Sequence, residues 1–441
     1  MQPEPRSILI PTCPGPVRAA IRPPGSKSIT NRALVCAALA RGDSLLTGVL
    51  DSQDTRVMAA GLATLGVGLA PDWPRGRIRV TGCGGAIPAA GAVIDCAASG
   101  TTMRFLAAVC PLGHGRFRLD GTERMRRRPI GDLVEALAAL GVDAAAESPG
   151  GCPPVDIRAA GLPGGTVRVR GGTSSQFASG LALAAPCTTR GLQIEFEGRL
   201  VSVPYLAMTR RVIESFGGRC AADGDRAWRI EPTGYVGREY AIEPDASAAS
   251  YFAALAAITG GSVRIDGLSR DSMQGDVAFC DALERMGCTV EWRDPSADTV
   301  GSITVGGRAT RGIDIDMNAI SDTVPTLAVT ALFAAGPTSI RNVAHIRDKE
   351  TDRIGDLVRE LRKLGAEVHE RADGLTIVPG GLRAATLATY DDHRMAMSLA
   401  LAGLRVQGVR IEDPGCVGKT FPDYWLRLAE AAGLDPAFAA G

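Results

Sequence analysis

Residues 25–42 read GSKSITNRALVCAALARG. A glycine turn and two serines able to cap a helix precede an alanine- and leucine-rich run. Lys27 and Arg32 therefore fall near a first helical turn, whose free N–H groups attract anions. Gly25-Ser26-Lys27-Ser28 superficially matches the end of a nucleotide P-loop, but the chain lacks the earlier glycine which that motif requires. Taken alone, the stretch reads most simply as a capped helix with solvated charges.

Its weight comes from recurrence. ASGTTMRFLAAVCPLGHG, TSSQFASGLALAAPCTTRG, PDASAASYFAALAAITGG, ISDTVPTLAVTALFAAGP and DDHRMAMSLALAGLRVQG share the plan of a polar head and an apolar helix. Their heads, at Ser28, Ser99, Ser174, Asp245, Asp322 and Asp392, recur roughly every seventy to seventy-seven residues, enough for a whole supersecondary unit. A second set runs in the same phase: amphipathic helices that stop at Gly66, Gly141, Gly217, Gly287, Gly365 and Gly433 before a strand. The first set is apolar nearly all round and predicts burial on every side; the second keeps a polar face. Six repeats of an α/β protein follow, three per domain, with sheets outside the buried helices. The midpoint near Tyr240 gives a first domain over 21–241 and a second over 242–441, completed by residues 1–20 returning to it. Parallel buried helices would gather their positive ends at one end of each domain, and two such ends facing each other would form a cleft for anionic ligands that closes when they bind.

Composition narrows the function. Lys plus Arg and Asp plus Glu both number 48, so no global field draws nucleic acid or an anionic membrane. The eleven cysteines stand singly and the histidines number only four, which is not metal-site spacing and fits reduced thiols in the cytoplasm. The N-terminus lacks the apolar stretch of a signal peptide, and no apolar run approaches bilayer length.

The heads carry charge: Lys27 and Arg32, Arg104, the MRRRPIG run ending at Arg128, Asp322, RDKETDR at 347–353, Asp392-His393-Arg394, and Lys419 in GKTFPD. Each has a plain alternative. MRRRP reads equally as a solvated basic loop, Lys349 and Arg353 as helix-surface partners of the acids between them, Asp322 as an N-cap, and His393 as a structural histidine. Their recurrence at equivalent places in the repeat weighs against all of these together. Ser174, Ser175 and Gln176 add uncharged donors suited to a sugar-like ring and its phosphate.

In order and spacing, PGSKSxxNR, SGTTMR, RPIG, SSQF, ISDT, KETDR, DDHRMAM and KTFPDY resemble the enolpyruvyl transferases, and among them the 5-enolpyruvylshikimate-3-phosphate synthases, from about residue 20 to about 430. The resemblance implies a two-domain inside-out α/β barrel of six βαβαββ units with parallel buried helices. It implies enolpyruvyl transfer from phosphoenolpyruvate to the 5-hydroxyl of shikimate 3-phosphate in the shikimate pathway, by a cytoplasmic monomer with no cofactor or metal. Carried over, it assigns Lys27, Ser28, Arg32, Ser174, Ser175, Gln176, Ser202, Asp322 and Lys349 to shikimate 3-phosphate, with Tyr205 beside them. Lys27, Gly100, Arg128, Gln176, Arg353, Arg394 and Lys419 fall to phosphoenolpyruvate. Ala98 and His345 stand where many members carry Asn.

Both substrates bring a carboxylate and a phosphate, so cations must offset their repulsion. Catalysis is expected from Asp322 as base toward the hydroxyl, with Lys27 or Glu350 supplying a proton to the methylene. The rivals are the sister enzyme acting on UDP-N-acetylglucosamine, against which the KETDR and DDHRMAM patterns speak, a non-enzymatic polyanion binder, and an inactive relative.

Overall fold

Each polar head opens a helix. In the computed structural model, which describes residues 7–172, 174–296 and 299–440, the helices are α1 (Lys27–Leu39), α2 (Gln53–Thr64), α3 (Gly100–Val109), α4 (Gly131–Ala139), α5 (Ser175–Ala184), α6 (Val203–Ser215), α7 (Ala246–Thr259), α8 (Phe279–Arg285), α9 (Val324–Ala331), α10 (Gly355–Lys363), α11 (His393–Gly403) and α12 (Tyr424–Ala432). The first six residues of the N-terminal segment lie outside the described residues.

The odd-numbered helices are buried almost throughout, α7 from end to end. Five of the six begin on a side-chain cap: Ser26 accepts from Ile29 N–H (3.5 Å), Ser99 from Thr102 (3.3 Å), Ser174 from Gln176 (3.2 Å), Asp245 from Ala248 (2.8 Å) and Asp392 from Arg394 (2.8 Å). The exception is α9. It starts after Thr323 with no side-chain cap and has a proline in its first turn, which leaves Asp322 out of the capping role. The even-numbered helices keep a polar face, and the six glycines expected at their ends all have positive φ, from 65° at Gly433 to 107° at Gly287.

Each repeat folds its strands in one pattern. Gly91–Asp95, ahead of α3, pairs parallel with His114–Asp120 after it; that strand pairs antiparallel with Cys152–Ala160, which pairs antiparallel with Asp143–Ser148. The same order joins Gly165–Arg170, Leu192–Glu197, Ala227–Ile230 and Cys220–Asp223, and again Asp314–Asp316, Thr338–Arg341, Gly374–Val378 and Glu367–Arg371. Alternation turns one sheet face to the helices: along Arg77–Thr81, Ile78 and Val80 are buried and their neighbours exposed.

The repeats beginning with α1 and α7 exchange their leading strands. Arg18–Ile21 precedes α1 in sequence yet pairs with Ser262–Asp266, after α7; Glu239–Ala241 precedes α7 yet pairs with Asp43–Thr47, after α1. The last repeat, Thr386–Leu387 with Arg410–Glu412, takes its final strand from Ser7–Leu9. Two compact units result. One is Gly25–Glu243; the other holds the chain up to Pro24 and from Pro244 onward. The boundaries expected at 21 and 241 thus move to 25 and 243. The reason is strand pairing, since Arg18–Ile21 stays in its sheet to the last residue and Ile242 N–H still bonds Thr47 O at 2.8 Å.

Hydrogen bonds near the helix starts show that the buried helices run parallel within each unit. Ser250 of α7, Thr326 of α9 and Ser398 of α11 form one chain of hydroxyls with 3.2 Å links. In the other unit Gln176 of α5 reaches Thr101 of α3 at 3.2 Å, and Arg32 of α1 reaches Ser179 of α5 at 3.5 Å.

Candidate functional site

The helix starts of each unit gather a set of polar residues, and the two sets differ in what holds their cations.

In the Gly25–Glu243 unit, Lys27 is the first residue of α1 and its Nζ lies 3.3 Å from Asp54 Oδ2 on α2. Arg32, one turn later, is only 1 % exposed. Its Nε donates to Thr209 Oγ1 (2.7 Å), Nη1 to Ser28 O (2.9 Å), and Nη2 to Ser179 Oγ (3.5 Å) and Tyr205 O (3.4 Å), while the guanidinium lies over the Phe105 ring. None of these partners is a carboxylate. Burial lowers the Arg32 pKa to about 10, still far above neutrality. Arg32 sits beneath the surface and ties the first turn of α1, bearing Ser28, to the first turn of α6, bearing Tyr205. Ser202 precedes α6 in the left-handed region (φ 54°) and is buried.

Arg104 on α3 repeats this chemistry. Nη1 donates to Gln176 Oε1 (2.6 Å) and Ser174 Oγ (3.3 Å), which leaves Gln176 Nε2 to donate to Thr101 Oγ1. Ser174 and Gln176 thus come together as expected, with Ser175 buried between them at the first position of α5. The three arginines of MRRRP separate. Exposed Arg126 pairs with Asp120 and exposed Arg127 with Glu123, so for those two the solvated-loop reading holds. Arg128 is buried, and a Cβ built on Gly100 would meet its Nη1 at 2.8 Å and its Cζ at 2.9 Å. Glycine at position 100 is what lets that guanidinium lie on the start of α3.

In the other unit, cations and carboxylates alternate. Asp322 lies in the 3-10 turn Asn318–Thr323. Its Oδ1 accepts from Arg353 Nη1 (3.1 Å) and lies 3.8 Å from Lys349 Nζ, and its Oδ2 accepts from Arg394 Nη2 (2.9 Å). Arg353, also 1 % exposed, donates further to Asp392 (Nε to Oδ2, 2.7 Å) and to Glu350 (Nη2 to Oε2, 2.9 Å). Lys419 Nζ closes on Glu350 Oε1 at 3.1 Å. Burial alone would pull the Arg353 proton off more easily; Asp392, Glu350 and Asp322 outweigh it and hold the guanidinium charged. With Lys349, Arg353, Arg394 and Lys419 against Asp322, Glu350 and Asp392, four positive charges face three negative, a net of one positive.

Two plain readings fail here. KETDR is not a helical surface, because α10 begins only at Gly355 and Asp352 caps it through Ile354 N–H (3.1 Å) and Gly355 N–H (3.0 Å). Asp322 is not an N-cap. His345, which the resemblance left aside, is 3.0 Å from Ser321 Oγ. Burial first, then Lys349, lowers its pKa to about 4, so it is neutral at pH 7. His393 is buried. Sequence reasoning named Arg104 and Asp392 among the charged heads without foreseeing Gln176 and Arg353 as their partners, and it missed Asp54 and Thr101. For Thr101, the recurrence of polar residues at helix starts was the available signal. Among the described residues, no three His, Cys, Asp or Glu side chains group closely enough to hold a metal ion.

Comparison with known proteins gives a uniform result. The profile of the family described as EPSP synthase (3-phosphoshikimate 1-carboxyvinyltransferase) matches residues 11–428. The 3-phosphoshikimate 1-carboxyvinyltransferase of Nostoc punctiforme is 45 % identical over 423 residues, covering 96 % of this chain and 98 % of the relative. The protein of that name from Thiobacillus denitrificans is 46 % identical, covering 95 % and 98 %. The solved structure of EPSP synthase from Acinetobacter baumannii superposes with a TM-score of 0.80 at 25 % identity, over 97 % of this chain and 98 % of the other.

Proposed function

The chain belongs to the EPSP synthase family, and from that premise we propose that it transfers the enolpyruvyl group of phosphoenolpyruvate to the 5-hydroxyl of shikimate 3-phosphate and releases inorganic phosphate. Membership rests on the family profile and on relatives about 45 % identical over nearly the whole chain. The observation that supports the chemistry is Asp322: a carboxylate that caps no helix and is held by Arg353 and Arg394 with Lys349 beside it.

The reaction runs by addition and elimination. Asp322 takes the proton of the attacking hydroxyl, whose oxygen bonds to C2 of phosphoenolpyruvate while C3 gains a proton from Lys27 or Glu350. In the second half C3 gives up a proton, the C2–O bond to phosphate breaks, and the enol ether forms as phosphate leaves. Lys27, Ser28, Arg32, Ser174, Ser175, Gln176, Ser202, Asp322 and Lys349 hold shikimate 3-phosphate. Lys27, Gly100, Arg128, Gln176, Arg353, Arg394 and Lys419 hold phosphoenolpyruvate. Mixed hydroxyl, amide and cation donors suit a phosphorylated ring; the arginines suit the forked geometry of carboxylate and phosphate. The protein acts as a cytoplasmic monomer in this reading; among the described residues no helix is long and apolar enough to cross a membrane.

The test is phosphate release by the purified protein given phosphoenolpyruvate with shikimate 3-phosphate or with UDP-N-acetylglucosamine. Release with the first acceptor alone is expected. Release only with the nucleotide sugar, or with neither, would overturn the assignment.

A further inference from the structure

Asp276 lies in the 3-10 turn Gly275–Ala278 ahead of α8 and is 5 % exposed; the reaction as written gives it no task. Burying a carboxylate is costly, so its place beneath the catalytic residues needs a reason. Helix capping is not that reason, since Asp245 already caps α7. The turn is fixed against α7 by its neighbour Gln274, whose Oε1 accepts from Ala246 N–H at 3.0 Å and whose Nε2 donates to Pro244 O at 2.6 Å.

From there a short relay leads to the base. Ser247 Oγ, in the first turn of α7, donates to Asp276 Oδ2. Arg394 Nη2 donates to Ser247 Oγ at 3.4 Å and to Asp322 Oδ2 at 2.9 Å. We infer that Asp276 is a positioning residue for the transfer reaction: ionised, it orients Ser247 so that Arg394 stays on Asp322, and it offsets the Arg394 charge so that Asp322 keeps its proton affinity.

A hydroxyl has one proton and two lone pairs. While Asp276 is ionised, the Ser247 proton points to it and a lone pair faces Arg394. Once Asp276 is protonated, its own O–H can donate to one Ser247 lone pair, and the hydroxyl that accepts from Arg394 is no longer held in one orientation. The negative charge that sustains Asp322 as a base is lost as well, because a nearby like charge is what raises a carboxylate's pKa. The groups facing Asp276 are Asp245 and Ser247 from α7, Asp322 from the turn before α9, and Arg394 from α11. On α8, Asp281 instead lies 3.7 Å from Arg270 and is part-exposed. Burial, then the Asp322 charge, push the Asp276 carboxyl up to about 6, against the pull of Ser247 and Arg394. Ionisation of this buried group therefore falls above the ordinary carboxylate range.

The inference rests on Asp322 acting as the base, and its test is the pH dependence of kcat from about pH 5 to about 8, the range a general base explores. Full-length wild type, Asp276→Asn and Ser247→Ala are compared at saturating shikimate 3-phosphate and phosphoenolpyruvate. Wild type is expected to lose rate below about pH 6. Asp276→Asn should lack that limb and run about tenfold slower at pH 7.5, the effect of one pKa unit on a base, with both KM values within about threefold. Ser247→Ala should be slowed yet keep the limb. An Asp276→Asn enzyme with the wild-type limb would overturn the inference, as would loss of rate that follows loss of folded protein under an unchanged profile. If Asp276→Asn fails to fold, carbon-13 NMR titration of the wild-type Asp276 carboxyl decides: a midpoint near the ordinary value of about 4 contradicts it. A wild type that releases no phosphate fails the functional assignment instead, so the two failures are distinguishable.

Discussion

The two units build their helix starts on one plan and furnish them differently. In the Gly25–Glu243 unit, Arg32 and Arg104 are held by hydroxyls, backbone carbonyls and an amide. In the other, Arg353 and Arg394 are held by Asp322, Glu350 and Asp392. Neutral acceptors leave a cation's charge unneutralised, which suits holding an anionic substrate. Carboxylates neutralise it locally but provide groups able to move protons. In the proposed reaction this is a partial division of labour: donors with neutral partners are weighted to one unit, while the carboxylates Asp322 and Glu350 lie in the other, beside the cations Lys349, Arg394 and Lys419.

Asp322→Asn should break that division most severely. Removing the base is expected to lower kcat by about 10² to 10⁴. Phosphate-release kinetics showing less than about a tenfold loss would contradict the role. Next comes stability. Arg353→Met strands the fully buried Asp392 and takes one partner each from Glu350 and Asp322, which keep Lys419 and Arg394; orphaning a buried charge of this kind costs about 3–5 kcal/mol. Arg32→Met should cost only about 1.5 kcal/mol, since Thr209 still bonds Ser179 (2.9 Å) and Tyr205 O (2.8 Å). Denaturant unfolding of the two variants measures the contrast, and equal losses would erase it.

Gly100→Ala probes the binding side. The new methyl falls 2.8 Å from Arg128 Nη1, so the guanidinium must shift. KM for phosphoenolpyruvate should rise about tenfold while the Kd of shikimate 3-phosphate stays within about twofold. Steady-state kinetics paired with calorimetry would show it.

The smallest expected effect belongs to His345. Its folded pKa of about 4 lies below the ordinary value of about 6.5. The unfolded chain therefore binds the proton first: this contribution to stability is complete above about pH 6.5 and is lost as pH falls through about 4. His345→Asn should flatten that part of the Tm–pH curve, and an unchanged slope would show the imidazole is not held neutral.

Much of this was legible in the sequence, for identifiable reasons. Burial all round, polar heads at a fixed period and six glycines after amphipathic helices are local signals, and they reported the repeat and the helix ends. The return of the N-terminal segment to the second domain was expected, but the reciprocal pairing of Glu239–Ala241 with Asp43–Thr47 was not legible, because strand partners far apart in sequence leave no local mark. At the site, the residue types at helix starts pointed to the right places. Only the family resemblance singled out Arg128; local sequence could not separate it from Arg126 and Arg127, since side-chain direction in a turn depends on what packs against it, here Gly100. Nor could it show that Arg32 and Arg353 are buried, or that Asp276 comes within reach of the Asp322 charge, since both depend on contacts between repeats.

The most direct test of the divided labour is calorimetric titration of shikimate 3-phosphate into Asp322→Asn and Gln176→Ala, with kcat measured on the same preparations. We predict that Asp322→Asn binds within about tenfold of wild type, the loss of one hydrogen bond, while its turnover collapses. Gln176→Ala should bind more weakly yet turn over at near wild-type rate once saturated. The reverse pattern, with binding lost in Asp322→Asn and turnover lost in Gln176→Ala, would contradict the account.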